Sequence, residues 1–260
     1  MNLFLTVVMT NEILSYMSGK SKLKSLIIVV LSTLYIATIS ELKVYYIEFI
    51  MIIVISILTS NPSRKTIIIV AFSVIALVAG IQLLYNIYPE FADFFDEDSI
   101  KSYTSDSGYS NKDNLNRATA ILDINEMFFN STTKKIFGIG MGSAEVSQYD
   151  FLCSDFYKTY SYLAYNWFSH SFMVLENGFL GFGIYILFFV SIIIRGFMTK
   201  KKDITYMSRF GIILSIMAIL NMFYNASLRN EPAYIFYLAI ACVFINEKKT
   251  ITNSEGDRLK

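Results

Sequence analysis

Long apolar stretches joined by short polar connections make up most of this chain, and one long polar segment interrupts them near the middle. Crossing a membrane takes about 20 mostly apolar residues in a helix, which satisfies its own backbone in lipid. The stretches that approach this length are Leu3–Met17, Leu23–Ile39, Val44–Leu58, Thr66–Tyr88, Ser171–Phe197, Ile204–Tyr224 and Pro232–Asn246. The pattern predicts an all-α, polytopic membrane helix bundle of about seven spans.

The same stretches divide the chain into four regions. Spans one to four lie in residues 1–88, and a large polar loop occupies residues 89–169. Spans five to seven lie in residues 170–246, and a polar tail follows in 247–260. Hydrophobic residues make up 54% of the chain and charged residues 17%. These proportions favour a membrane protein over a soluble domain.

Lysine and arginine collect in the connections after the first, third, fifth and seventh spans, at Lys20, Lys22, Lys24, Arg64, Lys65, Lys200, Lys201, Lys202, Lys248 and Lys249. Positive charge beside the ends of spans marks the cytoplasmic side. The loop 89–169 and the connections 40–43 and 225–231 are then extracytoplasmic. The amino terminus also falls outside, from which we expect the chain to be the carboxy-terminal part of a longer polytopic protein.

The extracytoplasmic loop carries 12 acidic and 6 basic side chains and is expected to contain short helices. One amphipathic helix is predicted from Arg117, with Ala118, Ile121 and Leu122 on its apolar side. The tract Tyr149–Trp167 is rich in aromatic residues. Such residues suit the membrane–water interface and also stack on sugar rings, and both interpretations stay open.

His170 is the only histidine and stands where the loop enters the fifth predicted span. Helical spacing puts Asn177 on the same face as His170, whereas Glu176 points about a third of a turn away. We therefore expect His170 and Asn177 to line one site and Glu176 to bond a different helix.

Gly138, Gly140 and Gly142 follow one another at alternate positions. They lack the strand, the helix and the lysine of a phosphate-binding loop. A tight turn that lets the backbone approach a ligand or a helix is the better interpretation.

Each extracytoplasmic connection also carries a cation: Lys43, Arg117 and Arg229. One alternative is local pairing, of Lys43 with Glu41 and of Arg229 with Glu231. The other is a shared anion site, for which the arginine fork is suited. The acidic residues of the loop do not cluster with histidine, and we predict no metal site. Cys153 and Cys242 lack a metal-binding or redox spacing.

Three pieces in order carry a family resemblance: Asn116-Arg117 before a helix, the glycine segment Ile136–Ser143, and His170 leading into Leu175–Gly181. In this combination the chain resembles the carboxy-terminal part of the O-antigen polymerase and O-antigen ligase family of multi-pass membrane glycosyltransferases. It departs from that family at Ser171, where an asparagine is frequent.

The resemblance implies a polymerase that joins oligosaccharide repeat units carried on undecaprenyl diphosphate, at the outer face of the cytoplasmic membrane. It implies catalytic roles for Arg117 and His170, and substrate binding by Arg229, Lys43, Asn177 and Gly140. No cofactor and no nucleic acid are expected. The implied partners are the lipid-linked oligosaccharide and the bilayer, with a chain-length regulator and a flippase as protein partners.

Two alternatives remain open at this point. A ligase would transfer a finished glycan to another acceptor with the same residues. A lipid-linked glycan transporter would do no chemistry, and would place charges or broken helices near the bilayer midplane. Glu48 and Arg209 are among the charges that lie within the predicted spans.

Overall fold

The computed structural model describes residues 1–59, 63–87, 115, 117–161, 169–198, 206–231 and 233–244. Helix makes up 78% of these residues and no strand occurs among them, which confirms the all-α class. The helices are α1 Asn2–Met17, α2 Leu23–Ile39, α3 Lys43–Leu58, α4 Arg64–Ile87, α5 Ala120–Met127, α6 Thr132–Phe137, α7 Asp155–Tyr160, α8 Ser169–Met198, α9 Tyr206–Tyr224 and α10 Ala233–Phe244. A short 3₁₀ helix spans Asp150–Leu152.

Two of the described helices, α8 and α9, are long and apolar enough to cross a membrane. The sequence predicts about seven spans, whereas the described residues show two, and α1 and α3 are shorter than a span needs. Helices α1 and α3 each have 16 residues. At 1.5 Å per residue they reach about 24 Å, short of the roughly 30 Å of a hydrocarbon core.

The chain forms two compact units. The first contains Met1–Ile87, Val190–Ala218 and Asn230–Lys260, and the second contains Tyr88–Phe189 and Ile219–Arg229. The second unit therefore joins the predicted loop to the first part of α8 and to the end of α9.

In the first unit, α1 to α4 pack through apolar side chains, and several of their buried threonine hydroxyls bond to a carbonyl of their own helix. Thr10 donates to the Thr6 carbonyl one turn back at 2.7 Å. A buried carboxylate also lies here: Glu48 accepts from the Asn2 amide at 2.6 Å and from the Thr6 hydroxyl at 2.5 Å. The Glu48 carboxylate is thus held by two hydrogen bonds inside an otherwise apolar packing.

The second unit has its own core, in which α5, α7 and the start of α8 meet. Its buried members are Leu115, Ala120, Ile124, Phe129, Ala144, Phe156, Tyr160, Phe172, Val174 and Leu175. Serine hydroxyls cap two short helices, with Ser131 accepting from the Lys134 amide and Ser154 from the Tyr157 amide. Of the predicted apolar side of the Arg117 helix, Ile121 packs against this core, whereas Ala118 and Leu122 are exposed and Ala120 and Ile124 are buried in their place.

Candidate functional site

The candidate site is built around a break in α8. Gly178 interrupts this helix with φ 64° and ψ −174°, a conformation that is essentially restricted to glycine. Gly138, which ends α6, has nearly the same conformation, with φ 76° and ψ −167°. The two glycines lie 40 positions apart in the sequence and form the two sides of one contact.

At this contact the two backbones touch. A Cβ added to Gly138 would lie 2.4 Å from the main-chain oxygen of Glu176. One added to Gly178 would lie 2.3 Å from the main-chain oxygen of Ile136. Real Cβ atoms do not approach oxygen so closely, because the overlap is strongly repulsive. Both positions therefore require glycine for space as well as for conformation.

Main-chain hydrogen bonds fasten the glycine turn to α8. The Ile139 amide donates to the Leu175 carbonyl at 2.9 Å, and the Gly140 amide donates to the Glu176 carbonyl at 3.1 Å. The regular helical partners of both carbonyls lie beyond the break at Gly178. The turn thus supplies donors to acceptors at the point where the helix is interrupted.

The Glu176 side chain is the centre of the polar contacts. Its carboxylate accepts from the Gly142 amide at 3.1 Å and from the Arg229 guanidinium at 3.1 Å. Arg229 also lies 3.6 Å from Glu145 and stacks over the Phe172 ring, 4.1 Å from its centroid. Because the carboxylate is buried, these charge-assisted bonds fix both the turn and the arginine.

The partner of Arg229 is therefore distant in sequence. Local pairing with Glu231 is one of the two alternatives that the sequence leaves open, and the structure instead gives Arg229 a carboxylate on α8. Sequence reasoning places Glu176 off the His170 face but assigns it no partner. The available signal is an acidic residue two positions before a glycine, beside an apolar run that otherwise lacks charge.

His170 is buried, with 1% of its surface exposed, and both ring nitrogens face main-chain carbonyls. Nε2 lies 2.9 Å from the Arg117 oxygen and Nδ1 lies 3.3 Å from the Met222 oxygen. The ring also packs on Phe223, at 5.0 Å between centroids. His170, on the first turn of α8, therefore contacts both the turn before α5 and the end of α9.

Arg117 is half-buried and is held in two ways. Its carbonyl is bonded to His170, and its guanidinium carbon lies 4.9 Å from the centroid of the Tyr224 ring. A cation over an aromatic face gains electrostatic attraction and keeps its edge N–H groups for other acceptors. Arg117 thus presents a permanent charge beside the first turn of α8.

The predicted site residues divide between the two units. Arg117, Gly140, His170 and Arg229 all belong to the second unit and all contact α8 or its side chains. Asn177 is half-buried and packs its Cβ toward Gly181 one turn on. Lys43 begins α3 in the first unit. Among the described residues no group of three potential ligands is arranged to hold a metal, and both cysteines are free thiols.

Comparison of the chain with protein-family models, with characterised proteins and with solved structures finds no match. The assignment of a function therefore depends on the residues and on their arrangement.

Proposed function

We propose that this protein is a membrane glycosyltransferase that polymerises oligosaccharide repeat units carried on undecaprenyl diphosphate, making a surface polysaccharide such as O-antigen or capsule. The observation that supports the proposal most directly is the gathering of two arginines and the single histidine on the first turns of α8. A permanent cation beside this helix suits a diphosphate, which carries several anionic oxygens. Arg229 is already paired with the buried Glu176 carboxylate, so Arg117 is the cation on which the proposal relies.

The proposed topology is that of seven spans with the loop 89–169 on the outer face of the cytoplasmic membrane. Its support is the distribution of lysine and arginine, which collect in alternate connections. Labelling of a Lys201→Cys variant by an impermeant thiol reagent from outside would contradict this orientation.

In the proposed reaction, the oxygen of a sugar hydroxyl attacks the anomeric carbon of the lipid-linked donor. The bond from that carbon to the diphosphate oxygen breaks, and the diphosphate leaves with the electron pair. The hydroxyl proton passes to a base or to water. The largest need is for charge stabilisation at the leaving group, which a preorganised cation supplies.

Arg117 is the residue that we assign to the leaving diphosphate, with Arg229 and Lys43 as further cations. His170 is a candidate for orienting or deprotonating the hydroxyl, and its geometry adds a positioning role. Its Nε2 contact holds the Arg117 carbonyl, so the histidine sets where the arginine stands. Asn177 and Gly140 stay predictions for substrate binding.

Arg117→Lys tests the role of the arginine, because lysine keeps the charge and loses the two-pronged donor. Polymer would be measured in a strain that lacks its own polymerase and supplies the lipid-linked unit. We expect Arg117→Lys to lower polymer by roughly 100-fold, the typical effect of one preorganised charged contact, while the protein still accumulates. The matched control is Lys158→Ala, which removes an exposed cation from the same unit and should leave polymer unchanged.

Two isosteric variants of His170 separate positioning from proton transfer. Glutamine puts an amide nitrogen near the Nε2 position, facing Arg117, whereas asparagine puts one near Nδ1, facing Met222. A positioning role predicts that His170→Gln keeps polymer and that His170→Asn and His170→Ala lose it. Loss in all three variants favours proton transfer. Normal polymer from His170→Ala, or none from the unmodified chain with its substrate present, would contradict the proposal.

A ligase would use the same residues with another acceptor, and the product distinguishes the two. Repeated addition gives a ladder of chain lengths, whereas ligation gives a single transfer to a foreign acceptor.

A further inference from the structure

Helix α8 changes its surroundings at Gly178. Before the break, most side chains are buried, including the polar residues Ser169, His170, Ser171 and Glu176. After the break, large apolar side chains turn outward, at Phe179, Leu180, Ile184, Leu187 and Phe188. A helix that is buried together with its polar groups lies in protein, and one that exposes leucine and phenylalanine in this way suits lipid.

The lengths of the two parts agree with this change. All of α8 has 30 residues and is about 45 Å long, which exceeds a hydrocarbon core of roughly 30 Å. The part after Gly178, Phe179–Met198, is by itself about 30 Å long. Arg195 lies in its last turn, where a long side chain can extend to the interface. The spanning part of α8 therefore starts at the break rather than at Ser171.

The glycine turn stands at the same level as the break. Gly138 touches Gly178, and Met141 lies between two glycines that both donate to Glu176. Around these contacts the turn exposes apolar side chains: Phe137 is 61% exposed and Met141 is 86% exposed. These exposed fractions leave two large apolar side chains of the turn accessible to an apolar environment.

Charge complements the apolar side chains. Lys134 and Lys135 lie in the last turn of α6, directly before Ile136 and Phe137. Two lysines next to exposed apolar residues attract a membrane surface with anionic headgroups, each by about 1 kcal/mol. The lysines and the exposed apolar residues of the turn adjoin the outward-facing part of α8, because Gly138 lies against Gly178. This continuity favours lipid over a protein partner.

We infer that Ile136, Phe137 and Met141, together with Phe179 and Leu180, form one surface that rests on the outer leaflet of the bilayer. We call these five residues the boundary surface. The boundary surface contacts lipid, and it places the edge of the hydrocarbon core at the level of Gly178. His170 lies eight residues before Gly178, about 12 Å along the helix axis, so the candidate site stands above the hydrocarbon near the headgroups.

This inference depends on the insertion of α8 in a membrane and not on the proposed reaction. The test is site-directed spin labelling of the full chain in vesicles of phosphatidylethanolamine and phosphatidylglycerol. Single cysteines would be placed by Met141→Cys, Leu180→Cys and Leu187→Cys, in a background in which Cys153 and Cys242 are replaced by serine. Lys158→Cys provides the water-exposed control in the same unit.

Collision with dissolved oxygen would be compared with collision with a water-soluble nickel chelate. The chelate is excluded from hydrocarbon, so the oxygen-to-nickel ratio should be at least about fivefold higher at Met141 than at Lys158. It should be similar at Met141 and Leu180, and higher at Leu187, which lies deeper. Each residue that carries the spin label is exposed, so the fold should tolerate the label.

Two results would overturn the inference. A ratio at Met141 equal to that at Lys158 would place the turn in water. A label at Met141 that is shielded from both oxygen and nickel would mean that protein, such as a second copy of this chain, covers the surface.

Discussion

The two units contrast in where many of their polar groups find partners, although Thr38 of the first unit also bonds to Tyr46 and Tyr206 to Asn11. In the first unit, threonine hydroxyls bond to carbonyls four residues back in their own helix: Thr6 to Asn2, Thr10 to Thr6, Thr38 to Leu34 and Thr59 to Ile55. In the second unit, the polar contacts join distant segments. Glu176 reaches Gly142 over 34 positions and Arg229 over 53, and His170 reaches Arg117 over 53.

The difference shows which unit depends on tertiary packing for its polar groups. A hydroxyl bonded to its own helix needs no other segment, so the helix is already satisfied when it enters an apolar environment. A carboxylate that needs a turn and an arginine from elsewhere is satisfied only after long loops have closed, at an entropic cost. Single substitutions should therefore be more damaging in the second unit.

Gly178→Ala should have the largest effect. Alanine is strained at φ 64°, and its Cβ would meet the Ile136 backbone, which cannot move without opening the turn. We expect a loss of about 4 kcal/mol or more in the free energy of unfolding, measured by denaturant titration in detergent. Gly183→Ala is the control in the same helix, because its Cβ meets open space. It should be neutral or stabilising by up to about 1 kcal/mol.

Glu176→Gln should come next. Glutamine can still accept from the Gly142 amide, but Arg229 loses its buried negative partner. We expect a loss of about 2–3 kcal/mol in the free energy of unfolding. Glu145→Gln removes the other carboxylate near Arg229. The Glu145 side chain is 68% exposed and lies 3.6 Å from Arg229, so this variant should lose about 0.5 kcal/mol or less in the free energy of unfolding. Equal effects of the two variants would show that Glu176 is not the centre of the contacts.

Glu48→Ala sharpens the comparison, because Glu48 is a buried acceptor in the first unit whose donors lie 42 and 46 positions away. Its removal takes away the acceptor of two buried donors, the Asn2 amide and the Thr6 hydroxyl. If the sequence separation of the bonded residues decides how much stability is lost, the loss in the free energy of unfolding should be about 2 kcal/mol, near that of Glu176→Gln. A loss well below 1 kcal/mol in the same titration would mean that the loss of stability depends on the unit to which the contact belongs and not on the sequence separation of its residues.

Thr10→Val should have the smallest effect. Valine keeps the shape of threonine and removes a hydroxyl whose acceptor is the Thr6 carbonyl of the same helix. That carbonyl keeps its helical N–H partner, and we expect a change within about 0.5–1 kcal/mol in the free energy of unfolding. A loss above 2 kcal/mol would contradict the local character of the first unit.

The sequence by itself determines where most helices lie. The predicted span Leu23–Ile39 coincides with α2, and the predicted end of the sixth span at Tyr224 coincides with the end of α9. These limits follow from local features, namely runs of apolar residues and the polar residues that end them. The sequence also singles out Arg117, Gly140, His170 and Arg229, which the fold brings to one unit.

Only the tertiary structure decides how those residues are held. A continuous apolar run predicts one uninterrupted span over Ser171–Phe197, whereas α8 breaks at Gly178. The break is stable because the turn at Gly138, 40 positions earlier, supplies donors and leaves no room for a side chain. The choice of Glu176 over Glu231 as the partner of Arg229 has the same origin. Partners separated by 34 to 53 positions leave no periodic trace in a sequence, because only loop closure brings them together.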